Sequence, residues 1–161
     1  SLMFNTMAAK TWSFKYAASQ EFHDIMAQVI VNAKCLAEEL QKYGFRIVSG
    51  GTDNHLLVVD LRSKGLTGKT MQNALDAVGI TVNKNMIPFD PEKPGVTSGI
   101  RIGLTAVSQR GLKEPEIREI AAIINQVAED PEDEANLKAC KAKAEALIAK
   151  FPLYPAGSFD D

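Results

Sequence analysis

The chain has 161 residues, of which 45% are hydrophobic and 24% are charged, as in an ordinary globular domain. Its formal net charge of -2 gives no reason to expect a nucleic-acid or anionic-membrane partner. No apolar run approaches the ~20 residues that span a bilayer, and the first residues lack the basic and apolar segments of a signal peptide. We therefore expect a cytoplasmic protein.

Helical periodicity dominates the start of the chain. A short helix is predicted near Ala8–Tyr16, and a helix of about 25 residues, longer than most, follows it. Ser19 is its predicted N-cap and Gly44 its C′ residue. A helix of this length often bridges two domains, so we assign residues 1–44 to an interdomain helical segment. Its apolar residues follow the i, i+3, i+4 spacing of one helix face: Phe22, Ile25, Met26, Val29, Ala33, Leu36, Ala37 and Leu40.

Short apolar runs replace this pattern further along the chain. Residues 45–48 and 55–61 predict two strands, separated by the turn residues Gly50–Asn54. A short helix that opens near Thr67 ends at Gly79. The first half of the domain is therefore predicted to read strand, strand, helix.

The second half begins with a third predicted strand at residues 80–82. Residues 83–99 contain three prolines and look irregular, and a connection of that length is usually functional or disordered. A fourth strand is predicted at residues 99–104. One helix then starts at Pro115, and a last one covers roughly residues 134–150.

The connections between the strands are short, which predicts antiparallel pairing with the helices gathered on one side. We predict an α/β fold of the two-layer α+β kind, with a small, largely antiparallel sheet covered by helices. The long interdomain helix precedes this sheet. Residues 45–161 would form a C-terminal small domain.

Arg101 is the strongest candidate for a binding residue. Ile100 and Ile102 alternate onto one face of the predicted strand, so Arg101 lies on the other face. Gly99 and Gly103 flank it on that face and are expected to leave open space around the guanidinium. A planar guanidinium in a walled space suits a carboxylate held by two parallel hydrogen bonds. A solvated arginine on an open sheet face is an equally good interpretation.

Two other segments carry polar groups of interest. Asn83 and Asn85 precede the proline-rich stretch, and their amides could read a polar heterocycle. Lys84 between them lacks the apolar surroundings of a Schiff-base lysine, so we interpret it as solvated. Gly68-Lys69-Thr70 ends like a phosphate-binding P-loop, but Ser63 stands where the first glycine is needed. The start of a helix is the better interpretation.

The remaining reactive side chains form no recognisable group. Cys35 and Cys140 lie far apart in helical patterns, and we interpret them as reduced thiols. His23 and His55 have no His or Cys partner at ligand spacing, so we expect no metal site. Asp53 could pair with His55 to stabilise the turn, which is favoured over general base catalysis.

Three segments of the chain stand out as motifs: residues 49–56 (SGGTDNHL), 79–91 (GITVNKN, then IP and DP) and 96–103 (VTSGIRIG). They resemble signatures of the serine hydroxymethyltransferases and follow one another in the same order. The resemblance implies the C-terminal domain of a fold-type I enzyme that uses pyridoxal 5′-phosphate (PLP). Such an enzyme interconverts serine and tetrahydrofolate with glycine and methylene-tetrahydrofolate.

The resemblance also implies roles for single residues. Arg101 matches the arginine that binds the amino-acid α-carboxylate, and Asn85 matches the asparagine that contacts the folate pterin. Lys10, Lys69 and Lys84 do not match the lysine that carries PLP, which the family places in an N-terminal large domain. We therefore expect no catalytic residue in this chain, no PLP bound to it and no activity alone. The whole enzyme is expected to be a homodimer.

One segment departs from the family pattern. Residues 103–106 read Gly-Leu-Thr-Ala where many members read Gly-Thr-Pro-Ala, and loss of the proline predicts a less constrained loop. Two alternatives to an enzyme fragment stay open. The chain could be a non-catalytic module that binds an amino acid or folate, or a diverged paralogue of the same fold type.

Overall fold

A computed structural model describes residues 3–154. Residues 1–2, which entered the signal-peptide argument, and residues 155–161, the end of the predicted small domain, lie outside the described residues. The helices and strands follow in the order α1 (Phe4–Ala17), α2 (Gln20–Lys42), β1 (Arg46–Ile47), β2 (Leu56–Asp60), α3 (Gly68–Ala77), β3 (Asn83–Asn85), β4 (Gly99–Gly103), α4 (Thr105–Gln109), α5 (Glu114–Glu129) and α6 (Glu134–Ile148).

The four strands form one sheet in the order β1-β2-β4-β3, and every neighbouring pair is antiparallel. Side chains alternate between the two faces, as strand geometry requires. One face is apolar and buried by the helices, and it is formed by Leu57, Val59, Ile100 and Ile102. The predicted α+β fold with a small antiparallel sheet is confirmed.

Helix α2 supplies much of the core, as its apolar spacing predicted. The hydroxyl of Ser19 accepts a hydrogen bond from the backbone N of Phe22 and caps the helix start. Leu36 and Leu40, both 0% exposed, lie in the same apolar cluster as the sheet. Full burial of one such side chain contributes about 2 kcal/mol. The second half of α2 therefore shares the core of the sheet, while the division at residues 44 and 45 stays a prediction.

The third strand lies later in the chain than predicted. Residues 80–82 were the expected strand, but Asn83–Asn85 pairs with β4 instead. Ile80 donates its backbone N–H to Leu75 at the end of α3, and Val82 is buried in the core. The apolar residues thus mark burial of an extended connection, whereas the ladder is formed by polar residues. A polar sequence is common on a strand at the sheet edge.

Residues 103–106 also differ from expectation, because a short helix, α4, begins at Thr105. Leu104 is buried and donates its backbone N–H to the carbonyl of His55 at 2.8 Å. Asn32 of α2 is fully buried and donates to the hydroxyl of Ser108 at 2.8 Å. These contacts hold the segment, which is helical where the sequence predicted a loop, whereas the looser constraint expected from the lost proline stays a prediction.

The first and last helices, α1 and α6, differ in how far their side chains are buried. Helix α1 begins earlier than predicted, and none of its residues is buried. Helix α6 packs on α5 and buries Cys140, and Cys35 of α2 is buried as well. Both thiols are free, and burial raises the pKa of each, as expected for unreactive cysteines. Within residues 3–154, no helix combines the length and apolar content needed to cross a bilayer.

Candidate functional site

The face of the sheet opposite the core is polar, and strand register orders its side chains in rows. Asn83, Arg101 and Val58 lie side by side on β3, β4 and β2. In an antiparallel sheet, residues directly opposite each other point to the same face with Cβ atoms about 5 Å apart. The next row contains Asn85, Gly99, Asp60 and Arg46. We call these two rows the polar face.

Arg101 stands in the middle of the first row. Its neighbours Ile100 and Ile102 are buried, whereas Arg101 is exposed, so the predicted alternation is confirmed. Among the described residues, no carboxylate forms an ion pair with its guanidinium, although five other ion pairs are present there. The five N–H donors of this side chain are therefore available to a ligand.

The two glycines beside Arg101 do not play the same part. A Cβ added at Gly103 would meet no atom within 4 Å, which leaves open space as predicted. A Cβ added at Gly99 would lie 2.7 Å from Cγ2 of Ile87 and 2.9 Å from the carbonyl oxygen of Asn85. The expectation of open space at Gly99 was wrong, because the chain that leaves β3 packs against this glycine. The space beside Arg101 is open towards Gly103 and filled towards Gly99.

Asn85 lies at the end of β3, directly opposite Gly99. Its side chain is half-buried, and its Nδ2 donates a hydrogen bond of 2.6 Å to the carbonyl of Met86. No other described residue bonds to this side chain, so its amide oxygen is left as an acceptor. Arg101 and Asn85 therefore share one face of the sheet, on adjacent strands and in neighbouring rows.

The irregular segment after Asn85, residues 86–98, is organised by Asp90. Oδ2 of this carboxylate accepts hydrogen bonds from the backbone N of Ile87 at 3.1 Å and of Ser98 at 3.0 Å. Oδ1 accepts from the Ser98 hydroxyl at 2.6 Å and from the backbone N of Glu92 at 2.9 Å. Burial opposes ionisation, but these donors together hold the pKa of Asp90 well below its usual range.

Asp60, in the second row, is the buried acid of the polar face. Its carboxylate is 2.6 Å from Nη1 of Arg46 and 2.8 Å from Nη2 of Arg62, while the residue is only 1% exposed. The hydrogen bond from the Arg62 side chain is the main cause that lowers the pKa of Asp60 from 3.8 to about 2, despite its burial. Asp60 is therefore ionised and paired at neutral pH.

The turn between β1 and β2 borders a cleft of about 540 Å³ beside α2. Asp53 is exposed and lies 3.9 Å from Lys34, and no hydrogen bond joins it to His55. The predicted Asp53–His55 pair was wrong. The hydroxyl of Thr52 bonds to the carbonyl of Leu56 at 2.5 Å and stabilises the turn in its place.

Comparison with known proteins gives the chain a family. The family model for serine hydroxymethyltransferase matches residues 2–124. A serine hydroxymethyltransferase of Myxococcus xanthus (strain DK1622) is 49% identical over 152 residues, which are 94% of this chain and 36% of that protein. The chain belongs to the serine hydroxymethyltransferase family. It corresponds to the C-terminal part of that relative and spans about a third of its length.

Three lysines of the chain bear on the question of a PLP site. Lys10, Lys69 and Lys84 lie on three different elements, and each is exposed. A Schiff-base lysine needs surroundings that lower its pKa, which an exposed position does not provide. Gly68 and Lys69 begin α3 behind the cap Thr67, so the interpretation as a helix start rather than a P-loop is confirmed. None of these three lysines has the surroundings of a Schiff-base lysine.

The sequence did not single out Asp60 or Asp90. Each stands where a signal existed: Asp60 ends a buried strand two residues before an arginine, and Asp90 lies in the IP-x-DP segment shared with serine hydroxymethyltransferases. A carboxylate in an apolar strand or a proline-rich loop needs partners when it is buried. The identity of those partners depends on contacts between distant residues.

Proposed function

We propose that this chain forms the substrate-side wall of a serine hydroxymethyltransferase active site. The whole enzyme would interconvert serine and tetrahydrofolate with glycine and methylene-tetrahydrofolate, and its N-terminal large domain would hold PLP. In this proposal Arg101 binds the α-carboxylate of the amino acid and Asn85 contacts the folate. A homodimeric enzyme in the cytoplasm, and a small domain that begins at residue 45, belong to the same proposal.

The observation that carries this proposal is the placement of Arg101 and Asn85 on one face of the sheet. Arg101 is exposed and free of described carboxylates, so it pays no cost of breaking an internal ion pair when a ligand binds. Its planar guanidinium can form two parallel hydrogen bonds to a carboxylate. The open space beside Gly103 gives a substrate access to it from one side.

Calorimetric titration of the chain with glycine, serine and tetrahydrofolate tests this proposal. We expect Arg101→Ala to weaken amino-acid binding at least about tenfold, since a charged hydrogen-bonded pair contributes more than 1.4 kcal/mol. Arg101→Lys should weaken it too, because a point charge cannot replace the guanidinium fork. Arg118→Ala, on α5 and half-exposed, is the matched control and should have no effect.

The same titration also shows whether the chain binds an amino acid by itself or only as part of a larger enzyme. Binding to the chain alone that requires Arg101 supports a module; absence of binding means that the large domain completes the site. In the latter case the three variants are compared in the protein that includes the upstream coding region. Amino-acid affinity that is unchanged by Arg101→Ala in that protein would contradict the proposed role.

A spectroscopic experiment tests where the cofactor belongs. The isolated chain mixed with PLP should show no lysine-linked absorbance that borohydride removes, whereas the protein with its upstream region should show it. Such absorbance in the isolated chain would overturn the assignment of PLP to the large domain.

A further inference from the structure

The segment that joins β3 to β4, residues 86–98, is closed at its base by the Asp90 carboxylate. Asp90 bonds to Ile87, the second residue after β3, and to Ser98, the residue before β4. One side chain therefore connects the chain leaving one strand to the chain entering the next. Ties of this kind remove the conformational freedom of a long loop.

The residues proposed to contact the ligands lie just outside the stretch from Ile87 to Ser98 that Asp90 closes. Asn85 precedes Ile87 by two residues, and Arg101 follows Ser98 by three. Between them, Asn85 pairs with Gly99, so the position of Asn85 relative to Arg101 is fixed by the first rungs of the β3–β4 ladder. Strand β3 has only three residues, and a ladder this short gives little resistance to a shift.

Two residues of the segment adopt backbone conformations that are unfavourable for their side chains. Phe89 and Thr97 have φ values of 56° and 59°, a left-handed conformation that is costly for aromatic and β-branched residues. Phe89 is fully exposed, so packing does not impose its conformation. Thr97 is buried, and its hydroxyl bonds to the carbonyl of Gly99 at 3.0 Å. Hydrogen bonds to Asp90 lie on either side of these two residues and help to hold the segment in this shape. The backbone N–H groups of Gly68 and Lys69, which donate to the carbonyls of Thr97 and Val96, hold its second half as well.

We propose that Asp90 is a positioning residue, which holds Asn85 and Arg101 at the spacing that lets folate and amino acid bind side by side. The proposal rests on the proposed function, because it takes Asn85 and Arg101 as ligand contacts. Asp90 touches no ligand itself. Its four accepted hydrogen bonds require a carboxylate, since backbone N–H groups donate to both oxygens: those of Ile87 and Ser98 to Oδ2, and that of Glu92 to Oδ1.

Asp90→Asn tests the proposal with little change in size. An asparagine can place its oxygen at only one of the two positions, so its NH₂ group faces either the donors at Oδ2 or those at Oδ1. Glu92→Gln is the matched control: it removes one negative charge from the same loop, and the exposed Glu92 side chain bonds to no described residue. Ser98→Ala removes the hydroxyl donor alone and serves as a milder variant.

Kinetics of the protein that includes the upstream coding region give the first readout. We expect Asp90→Asn to raise the KM for tetrahydrofolate at least about tenfold, or about 1.4 kcal/mol, and to change kcat less than threefold. Ser98→Ala should show a smaller rise and Glu92→Gln none. An unchanged KM in Asp90→Asn, or an equal rise in Glu92→Gln, would overturn the positioning role.

Hydrogen exchange of this 161-residue chain gives a second readout that does not depend on activity. Asp90→Asn should speed exchange of the amides in β3 and β4, while the amides of α2 and α5 keep their protection. If the enzyme shows no folate-dependent turnover, the proposed function fails and this measurement alone decides the role of Asp90. Unchanged exchange in β3 and β4 would refute it, and so would an equal loss of protection throughout the chain, which would show a general loss of stability.

Discussion

Replacing Asp60 by asparagine keeps the size of the side chain but removes the negative charge that Arg46 and Arg62 share. The new NH₂ group would face guanidinium groups, which are donors only. Because Asp60 is buried beneath the polar face, we expect the variant to be less stable than the native chain at neutral pH. The difference should depend on pH in a direction that the pKa of Asp60 fixes.

The size of this effect follows from the pKa of Asp60, which is lowered from 3.8 to about 2 in the folded chain. A shift of that size corresponds to roughly 2.4 kcal/mol of stability. Both arginine side chains are about half-exposed and screened by water, so we expect about 1–2 kcal/mol in practice. Since the folded pKa lies below the unfolded value, this stability is present above pH 3.8 and is lost as the pH falls through about 2.

Urea unfolding followed by circular dichroism at pH 6 and pH 2.5 measures this dependence. The native chain should have a larger free energy of unfolding than Asp60→Asn at pH 6. This difference should be about 1 kcal/mol smaller at pH 2.5. Asp90 titrates in both proteins, so its contribution cancels in the difference. Asp76→Asn, which removes an exposed carboxylate of α3, should show no such change. A gap that is constant or wider at pH 2.5 would refute the assignment of Asp60 as an ionised, paired acid.

Two further predictions concern packing at the start of α3 and at the start of the chain. Gly68→Ala should lower the free energy of unfolding by about 2–3 kcal/mol, because its Cβ would meet the hydroxyl of Thr97 and the start of β4. Gly95→Ala, where the Cβ meets nothing within 4 Å, should be neutral in the same urea titration. Removal of residues 1–18 should change that free energy by less than about 1 kcal/mol, since α1 buries no side chain. Because α1 exposes Phe4, Trp12 and Phe14, we expect the intact chain to self-associate in analytical ultracentrifugation and the shortened chain to do so less. A loss of several kcal/mol on removal would show that α1 belongs to the core.

Local periodicity predicted the elements whose formation depends on nearby residues. The apolar face of α2, its cap at Ser19 and the start of α5 near Pro115 all follow from side chains within a few positions of one another. The orientation of Arg101 follows from the same local alternation. Strand pairing was predicted only as antiparallel, because short connections leave no room for crossovers.

The errors occurred where distant residues decide the structure. The run Ile80–Val82 has the composition of a strand, but β4 offers its backbone partners to Asn83–Asn85. Gly99 seemed to open space, yet Ile87, twelve residues earlier, fills it. Ser108 of α4 bonds to Asn32, which lies 76 positions earlier in the chain. None of these contacts leaves a periodic signal in the sequence.

The residues of the candidate site also fall into two groups: those that the sequence indicated and those whose partners lie at distant positions. Arg101 and Asn85 were found through strand geometry and family resemblance, which concern residues that a ligand would touch. Asp60 and Asp90 touch other parts of the chain, and Ser98 lies eight positions from the carboxylate that it bonds. Sequence signatures therefore indicated the residues proposed to contact ligands, but not the internal hydrogen bonds beside them.

The charges on the polar face explain why Arg101 remains free in a chain of net negative charge. Asp60 lies diagonally across from Arg101, at the roughly 7–8 Å between such positions, within reach of an arginine side chain. Arg46 and Arg62 occupy that carboxylate from the other side, and Asp90 is saturated by N–H and hydroxyl donors. Neither acid is left to form an ion pair with Arg101. The pairing of Asp60 with Arg46 and Arg62 thus leaves the guanidinium of Arg101 without a carboxylate partner among the described residues.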